Sequence, residues 1–152
     1  MAQMINYSSA QEKDQEKITR LLKINNLPYS DLQESGVEFI VAKDGDTVIG
    51  CIGLEKYGHE GLLRSFAVEP DLQNKGIGKE LYTQLLRRAA NSNLKTLHLL
   101  TDTAKDYFAR TGFRQTDRSK APETISNSRE FTSLCPSSST YMVLDIIPAH
   151  AV

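Results

Sequence analysis

Thiols and long apolar runs are scarce in this sequence, and both absences narrow the class of protein. The 152 residues include two cysteines, Cys51 and Cys135, which lie far apart and form no C-x-x-C pair. This excludes a disulfide framework and a cysteine zinc site. No apolar run is long enough to span a bilayer, and the first residues, MAQMINYSS, lack the apolar core of a signal peptide. We therefore expect a reduced, cytoplasmic protein with no membrane partner.

Charge imbalance and metal-binding patterns are also absent. The formal net charge is −1, which provides no basic surface for a nucleic-acid partner. The three histidines, His59, His98 and His150, are not at metal-ligand spacing, so we expect no metal. The sequence contains no internal repeat, and its length suits a single domain spanning residues 1–152.

Strand and helix patterns alternate along the chain. Asp44-Gly45-Asp46 between two β-rich runs predicts a hairpin, and Ser9 is a candidate helix cap. The predicted strands are 4–7, 38–43, 47–54, 62–68, 96–100, 113–116 and 140–147. The predicted helices are 11–24, a short one from Ser30 or Asp31, one from the turn at 73–78 to about 91, 104–110, and one beginning at Pro122. This order predicts an α/β (α+β) fold with a mixed sheet flanked by helices.

The most specific pattern follows the strand at 62–68. That strand ends at Val68-Glu69-Pro70, and Gln73-Asn74-Lys75-Gly76-Ile77-Gly78-Lys79 then opens an amphipathic helix. Glycines at a helix N-terminus let unpaired backbone amides approach an anion closely. We interpret the turn as a pyrophosphate site, with an ordinary tight turn as the alternative. Its spacing fits neither a P-loop, since position 80 is Glu, nor a G-x-G-x-x-G dinucleotide motif.

The pattern Q-x-x-G-x-G after LRSFAVEP resembles the signature of the GCN5-related N-acetyltransferases, the GNAT family. The resemblance implies a central mixed, mostly antiparallel sheet of about six to seven strands with about four to five helices. It implies acetyl-coenzyme A as co-substrate, no metal, and loop amides of residues 73–79 on the coenzyme pyrophosphate. It also implies that the backbone of Phe66, Ala67 and Val68 contacts the pantetheine and the acetyl carbonyl.

A second segment, TDTAKDYFARTGF at 101–113, resembles the family pattern N-x-x-A-x-x-F-Y-x-x-x-G-F. The resemblance implies that Thr101, Ala104 and Phe108 line the coenzyme site. Phe108 stands where the family often has a tyrosine that protonates the departing thiolate, and a phenyl ring has no proton to give, so no general acid is assigned. Leu62 stands where the family often has a carboxylate that removes a proton from the amine as general base. Glu60 and Glu55 are the candidate bases, and a solvated carboxylate without a role is the alternative for each.

The acceptor is indicated by Arg64 and by the segment before the last strand. Arg64 can hold a carboxylate in a bidentate pair, or it can form an ion pair within the protein. Together with the two signatures, residues 121–138 resemble a subgroup of small bacterial acetyltransferases found with arsenic-resistance genes, which is similar to the catalytic domain of N-acetylglutamate synthase. The resemblance implies an amino-acid-like acceptor contacted by Arg129 and by Ser137 or Ser138. We interpret Cys135 as a buried filler, not a nucleophile.

We therefore expect a direct N-acetyltransferase acting on the primary amine of a small amino-acid-like acceptor. Two alternatives stay open. One is acetylation of a protein N-terminus or lysine, and the other is a non-catalytic sensor that binds acyl-coenzyme A. The family resemblance is also compatible with a homodimer.

Overall fold

Seven β-strands and several short helices make up the computed structural model, which describes residues 4–136 and 138–146. The strands are β1 (Ile5–Ser9), β2 (Glu38–Asp44), β3 (Thr47–Tyr57), β4 (Glu60–Val68), β5 (Thr96–Thr101), β6 (Arg114–Thr116) and β7 (Thr140–Asp145). The helices are α1 (Gln15–Ile24), α2 (Ile77–Asn91), α3 (Lys105–Arg110), α4 (Glu123–Ser126) and a π-helical turn (Glu130–Leu134), with 3₁₀ turns at Glu12–Asp14, Pro70–Leu72 and Arg118–Lys120.

The strands form one sheet in the order β1-β2-β3-β4-β5-β7-β6. The recorded registers of β1–β2, β2–β3, β5–β7 and β6–β7 are antiparallel, and that of β4–β5 is parallel. This confirms the predicted α/β fold with a mixed, mostly antiparallel sheet. None of the helices in the part of the chain described here is long and apolar enough to cross a membrane.

Within the described residues, the chain divides into two compact units. The first contains the residues up to Leu54 together with Ser65–Arg87, and the second contains Glu55–Arg64 and the residues from Arg88 onward. Strands β3 and β4 therefore contribute residues to both units.

The first unit is built on the apolar face of α1. Its buried residues Ile18, Leu21 and Leu22, which share one face at i, i+3 and i+4 spacing, pack in a cluster with strand residues that include Val41 and Cys51. The predicted hairpin is confirmed, because Asp44 pairs with Thr47 and Gly45 adopts φ +63° between them.

Two local predictions for the first unit were wrong. Ser9 is the last residue of β1 and does not cap α1; the Gln11 backbone N–H instead donates to Asp14 Oδ2 over 2.8 Å, and a 3₁₀ turn precedes the helix. The predicted helix from Ser30 or Asp31 is a series of turns. Ser35 N–H does close one helical bond to Asp31 O (2.9 Å), but Gly36 follows at φ +61°, which ends the turn.

The second unit is organised around β7, which pairs along all of β5 on one side and with β6 on the other. Strand β4 begins at Glu60 instead of 62, so the turn after β3 is shorter than predicted. Strand β6 begins at Arg114, one residue later than predicted, because the Phe113 N–H donates to Phe108 O (3.0 Å) and closes α3. Strand β7 ends at Asp145, and the predicted last residue, Ile147, lies outside the described residues.

Candidate active site

The turn between β4 and α2, in the first unit, contains the residues predicted to bind an anion. Gln73 to Gly76 are exposed at the surface. Glu80 N–H donates to Gly76 O (3.1 Å), so the preceding amides of Ile77, Gly78 and Lys79 have no acceptor within the helix. These amides stand at the positive end of a 15-residue helix, which favours a bound anion.

The two glycines of this turn serve different needs. Gly76 has φ +88°, a conformation that side chains rarely adopt. Gly78 has no such conformation, and a Cβ there would lie 3.4 Å from Phe66 Cζ, an ordinary contact. A glycine in a helix is less stable than an alanine by up to about 1 kcal/mol. Gly78 is therefore explained by neither backbone conformation nor packing, and it fits a site where a ligand approaches the backbone closely.

The side chain of Gln73 fixes the turn to the end of β4. Its Nε2 donates to Val68 O (3.3 Å) and lies 3.5 Å from Asn25 Oδ1, while Asn25 Nδ2 lies 3.5 Å from the same Val68 oxygen. The predicted site residues Val68 and Gln73 are thus brought together. Asn25 was missed, because it follows α1 and nothing in its local sequence connects it with the turn.

Ser65 interrupts the regular geometry of β4. Its φ is +56°, an unusual value for a non-glycine residue inside a strand. Its carbonyl accepts a hydrogen bond from the thiol of buried Cys51, with the sulfur at 3.4 Å. A regular strand would place the side chains of Arg64 and Phe66 on one face, and the positive φ of Ser65 interrupts that alternation between them.

Strands β4 and β5 pair over a short distance. The recorded register joins Glu60, Gly61 and Leu62 to Thr96, Leu97 and His98, although β4 continues to Val68 and β5 to Thr101. In the second unit, Leu63 and Arg64 therefore lie beyond the recorded β4–β5 register.

Arg64 lies at the centre of a buried ionic cluster in the second unit. Its Nη1 is 2.8 Å from Glu55 Oε2 and its Nε is 3.5 Å from Glu130 Oε2, and all three side chains are at most 5% exposed. The Tyr57 hydroxyl donates to Glu55 Oε1. Both oxygens of Glu55 are therefore engaged. Of the two possibilities for Arg64, the structure contains the ion pair within the protein.

A second polar chain of the same unit contains Glu60. His98, which is buried, has Nε2 3.0 Å from Glu60 Oε2 and Nδ1 2.7 Å from the Tyr141 hydroxyl oxygen. Burial, and then the charge of Glu60, raise the pKa of Tyr141 to about 12. The Glu60 side chain is 29% exposed, so it is the accessible end of the chain. The sequence identified Glu60 but gave no sign of its partners.

The second family signature, residues 101–113, runs from the end of β5 through α3. Thr101 Oγ1 accepts a hydrogen bond of 3.0 Å from the Ala104 backbone N–H, which orders the start of α3. Phe108 is 5% exposed and makes edge contacts with Tyr107 and Phe113, at ring-centroid distances of 5.2 and 5.5 Å. Burial raises the pKa of the Tyr107 hydroxyl, which is partly offset by Arg110.

Residues 117–139, which connect β6 to β7, are called the strap below. Arg118 donates to Pro136 O (2.7 Å) and Phe131 O (2.9 Å) and stands over the Phe131 ring at 5.1 Å, and Phe131 makes an edge contact with Tyr141. The Ser139 hydroxyl lies 2.5 Å from Asp102 Oδ1.

Several predicted acceptor residues lie on the strap. Arg129 and Ser138 are exposed, and Ser137 lies outside the described residues. Cys135 is half-buried instead of buried, and burial together with Glu130 and Asp102 raises the pKa of its thiol to about 12. Such a thiol stays protonated at neutral pH, which argues against a nucleophile. In residues 4–136 and 138–146, no three or more His, Cys, Asp or Glu side chains are grouped to hold a metal ion.

Comparison with known proteins identifies the class to which this fold and this turn belong. The sequence model of the Acetyltransferase (GNAT) family matches residues 3–113. The chain belongs to this family.

Part of the chain is also similar to a curated amino-acid acetyltransferase. Over 89 residues the chain is 26% identical to the amino-acid acetyltransferase of Neisseria meningitidis serogroup A, a match that covers 57% of this chain and 20% of that protein. The chain thus spans about a fifth of the length of this relative.

Two solved structures have similar folds. N-acetylglutamate synthase from Neisseria gonorrhoeae, solved with coenzyme A and N-acetyl-glutamate, gives a TM-score of 0.81 at 20% identity, over 97% of this chain and 36% of the synthase. Rv2747 from Mycobacterium tuberculosis, solved with coenzyme A and NLQ, gives a TM-score of 0.76 at 25% identity, over 93% of this chain and 99% of the other.

Proposed function

We propose that this protein is an acetyl-coenzyme A-dependent N-acetyltransferase whose acceptor is the primary amine of a small amino acid or close analogue. The observation that supports coenzyme binding is the N-terminus of α2, next to the exposed turn at residues 73–76. Gly78 has no packing reason there and leaves the helix amides open to an anion. Lys75 and Lys79, both exposed, add positive charge beside them. The matching relative named an amino-acid acetyltransferase supports the acceptor class.

The reaction needs little chemistry from side chains. The neutral amine attacks the thioester carbonyl carbon, a C–N bond forms, the C–S bond breaks, the amine loses a proton to a base, and solvent protonates the departing thiolate. Orientation of the two substrates supplies most of the acceleration. We infer that Glu60 accepts the amine proton through water, because it is partly exposed, whereas both oxygens of Glu55 are engaged and buried.

We also infer that residues 1–152 act as one acetyltransferase domain. The support is that β3 and β4 each supply residues to both compact units, so neither unit has its own complete set of strands.

A non-catalytic sensor of acyl-coenzyme A is the second candidate. Two observations favour it: Phe108 and Leu62 occupy the positions where the family often has its acid and its base, and both are buried apolar side chains. Such a protein would bind the coenzyme and release no thiol.

One experiment separates these functions. The purified protein is incubated with acetyl-coenzyme A and, separately, with each common amino acid, with simple amines that lack a carboxylate, and with short peptides, and free thiol is measured against a no-acceptor control. We expect thiol release with amino acids. Release only with peptides would assign the protein to N-terminal or lysine acetylation. Coenzyme binding by calorimetry without release for any amine would identify the sensor, and absence of coenzyme binding would overturn both candidates.

A further inference from the structure

In the ionic cluster of the second unit, two carboxylates contact the same guanidinium group. Arg64 contacts both Glu55 and Glu130, and these side chains are almost fully buried. In such surroundings like charges repel strongly and each needs a close opposite partner. A third carboxylate, from an acceptor, could therefore join Arg64 only by replacing one of the two already there.

The two partners of Arg64 are held very differently. Glu55 lies on β3, is 2.8 Å from the guanidinium, and takes a second hydrogen bond from Tyr57. Glu130 is 3.5 Å from Arg64 and opens a π-helical turn, in which Cys135 N–H bonds to Glu130 O (3.0 Å) in an i to i+5 pattern. Such turns are uncommon and are frequent at functional sites. The longer distance and the irregular turn make Glu130 the partner of Arg64 that is easier to replace.

The strap that carries Glu130 is not held by strand pairing. Its described residues, 117–136 and 138–139, contain a 3₁₀ turn, α4 and the π-helical turn but no strand. Next to Arg129 and Glu130, the hydroxyl oxygen of Ser128 is buried and has no hydrogen-bond partner. A buried hydroxyl without a partner is unfavourable, so the strap is not fully satisfied in this arrangement.

We propose that Glu130 is an internal stand-in for the carboxylate of the acceptor: it occupies Arg64 when no acceptor is bound, and an acceptor carboxylate displaces it. This inference rests on the proposed amino-acid acceptor. It assigns Arg64 as the residue that selects carboxylate-bearing amines, and the strap as the element that releases the site.

Cys135 offers a reporter of the displacement that does not depend on catalysis. Its half-buried thiol lies within the electrostatic influence of Glu130, whose charge contributes to the raised pKa of the thiol. Departure of Glu130 removes that charge and loosens the turn around the cysteine, so the thiol should react faster with iodoacetamide. Since the chain has two cysteines, a Cys51→Ala background makes Cys135 the single thiol measured.

The decisive variant is Glu130→Gln, compared with Glu123→Gln, an exposed glutamate on the same strap. Because an internal competitor lowers apparent affinity in proportion to the fraction of protein it blocks, its removal should lower KM for carboxylate-bearing acceptors by roughly three- to tenfold. KM for amines without a carboxylate and the coenzyme Kd should not change. Glu123→Gln should behave as the unmodified protein, and Arg64→Lys should raise KM for the same acceptors.

The outcomes separate this inference from the proposed function. Faster alkylation of Cys135 on addition of a carboxylate-bearing amino acid, with the lower KM of Glu130→Gln, supports the displacement. A higher KM for Glu130→Gln would make Glu130 part of the acceptor site and overturn the inference. Acetyl transfer with unchanged KM and unchanged alkylation would overturn the inference alone. Alkylation that responds to amino acids without transfer to any amine would overturn the catalytic proposal and leave the displacement standing.

Discussion

Gly78 is the residue at which local stability and proposed ligand binding conflict. Its conformation does not require glycine, and its surroundings would accept a methyl group. A side chain there would, however, stand among the open amides of the helix N-terminus, where the coenzyme pyrophosphate is proposed to bind.

We expect Gly78→Ala to raise the free energy of unfolding by up to about 1 kcal/mol, because alanine is favoured in a helix. The same variant should bind coenzyme A at least several-fold more weakly. Urea unfolding and calorimetric titration measure the two effects, and Arg87→Ala, exposed on the same helix, is the control. Unchanged affinity for coenzyme A would contradict the assignment of this turn.

The sequence allowed the turn to be predicted because its signal is local: the residues that form the turn are consecutive. The partners of Arg64 and His98 could not be predicted in the same way. Glu130 and Tyr141 reach those residues from elements far along the chain, and no short pattern records such contacts. Ser65 was also missed, since serine gives no sign of a positive φ.

Among the elements, the strap depends on a few side-chain contacts for its position. Arg118 makes three of them, two hydrogen bonds to backbone carbonyls and one contact with the Phe131 ring. Strands β5, β6 and β7 are held by strand pairing, which the described residues of the strap lack, so the strap should open before they do.

Arg118→Ala should therefore loosen the strap more than the whole protein. We expect alkylation of Cys135 in the native protein to become several-fold faster, with the free energy of unfolding lowered by about 1–2 kcal/mol at most. Lys120→Ala, exposed on the same 3₁₀ turn, is the matched control. Equal alkylation rates in the two variants would show that Arg118 does not hold the strap.

At this scale, β-rich runs bounded by turn residues were sufficient to locate the strands, although β3 extends to Tyr57 instead of 54 and β4 begins at Glu60 instead of 62. The errors occurred where local hydrogen bonds compete. Asp14 and Gln11 form the start of α1 in place of Ser9, and a single turn closed by Ser35 is not extended into a helix.

Considered as a whole, the molecule contains buried groups that keep their protons above the pH at which these groups lose them in water. Burial raises the pKa of the Cys51 thiol from 9.0 to about 12, and burial with Glu60 raises that of Tyr141 from 10.0 to about 12. In the unfolded chain each group loses its proton at its ordinary pKa. The folded state binds more protons in this range, so its stability falls as pH rises.

We expect the free energy of unfolding to fall above pH 9, by about 1.4 kcal/mol per pH unit for each such group, and more steeply above pH 10. Urea unfolding in reducing buffer between pH 7 and 11 measures this. Cys51→Ala should reduce the slope between pH 9 and 10, while Lys23→Ala, an exposed residue, should leave it unchanged. A slope independent of Cys51 would contradict the buried protonated thiol.

The position of β7 has a consequence for the order in which the protein is made. It is the last of the described strands in the sequence, yet it lies between β5 and β6 and pairs with both. During synthesis β5 and β6 therefore leave the ribosome before the strand that joins them, and β5 has an open apolar edge until residues 140–145 emerge. Folding of the second unit is completed only after nearly all of it has been translated, so a ribosome stalled within the strap would present that edge to chaperones or to other chains.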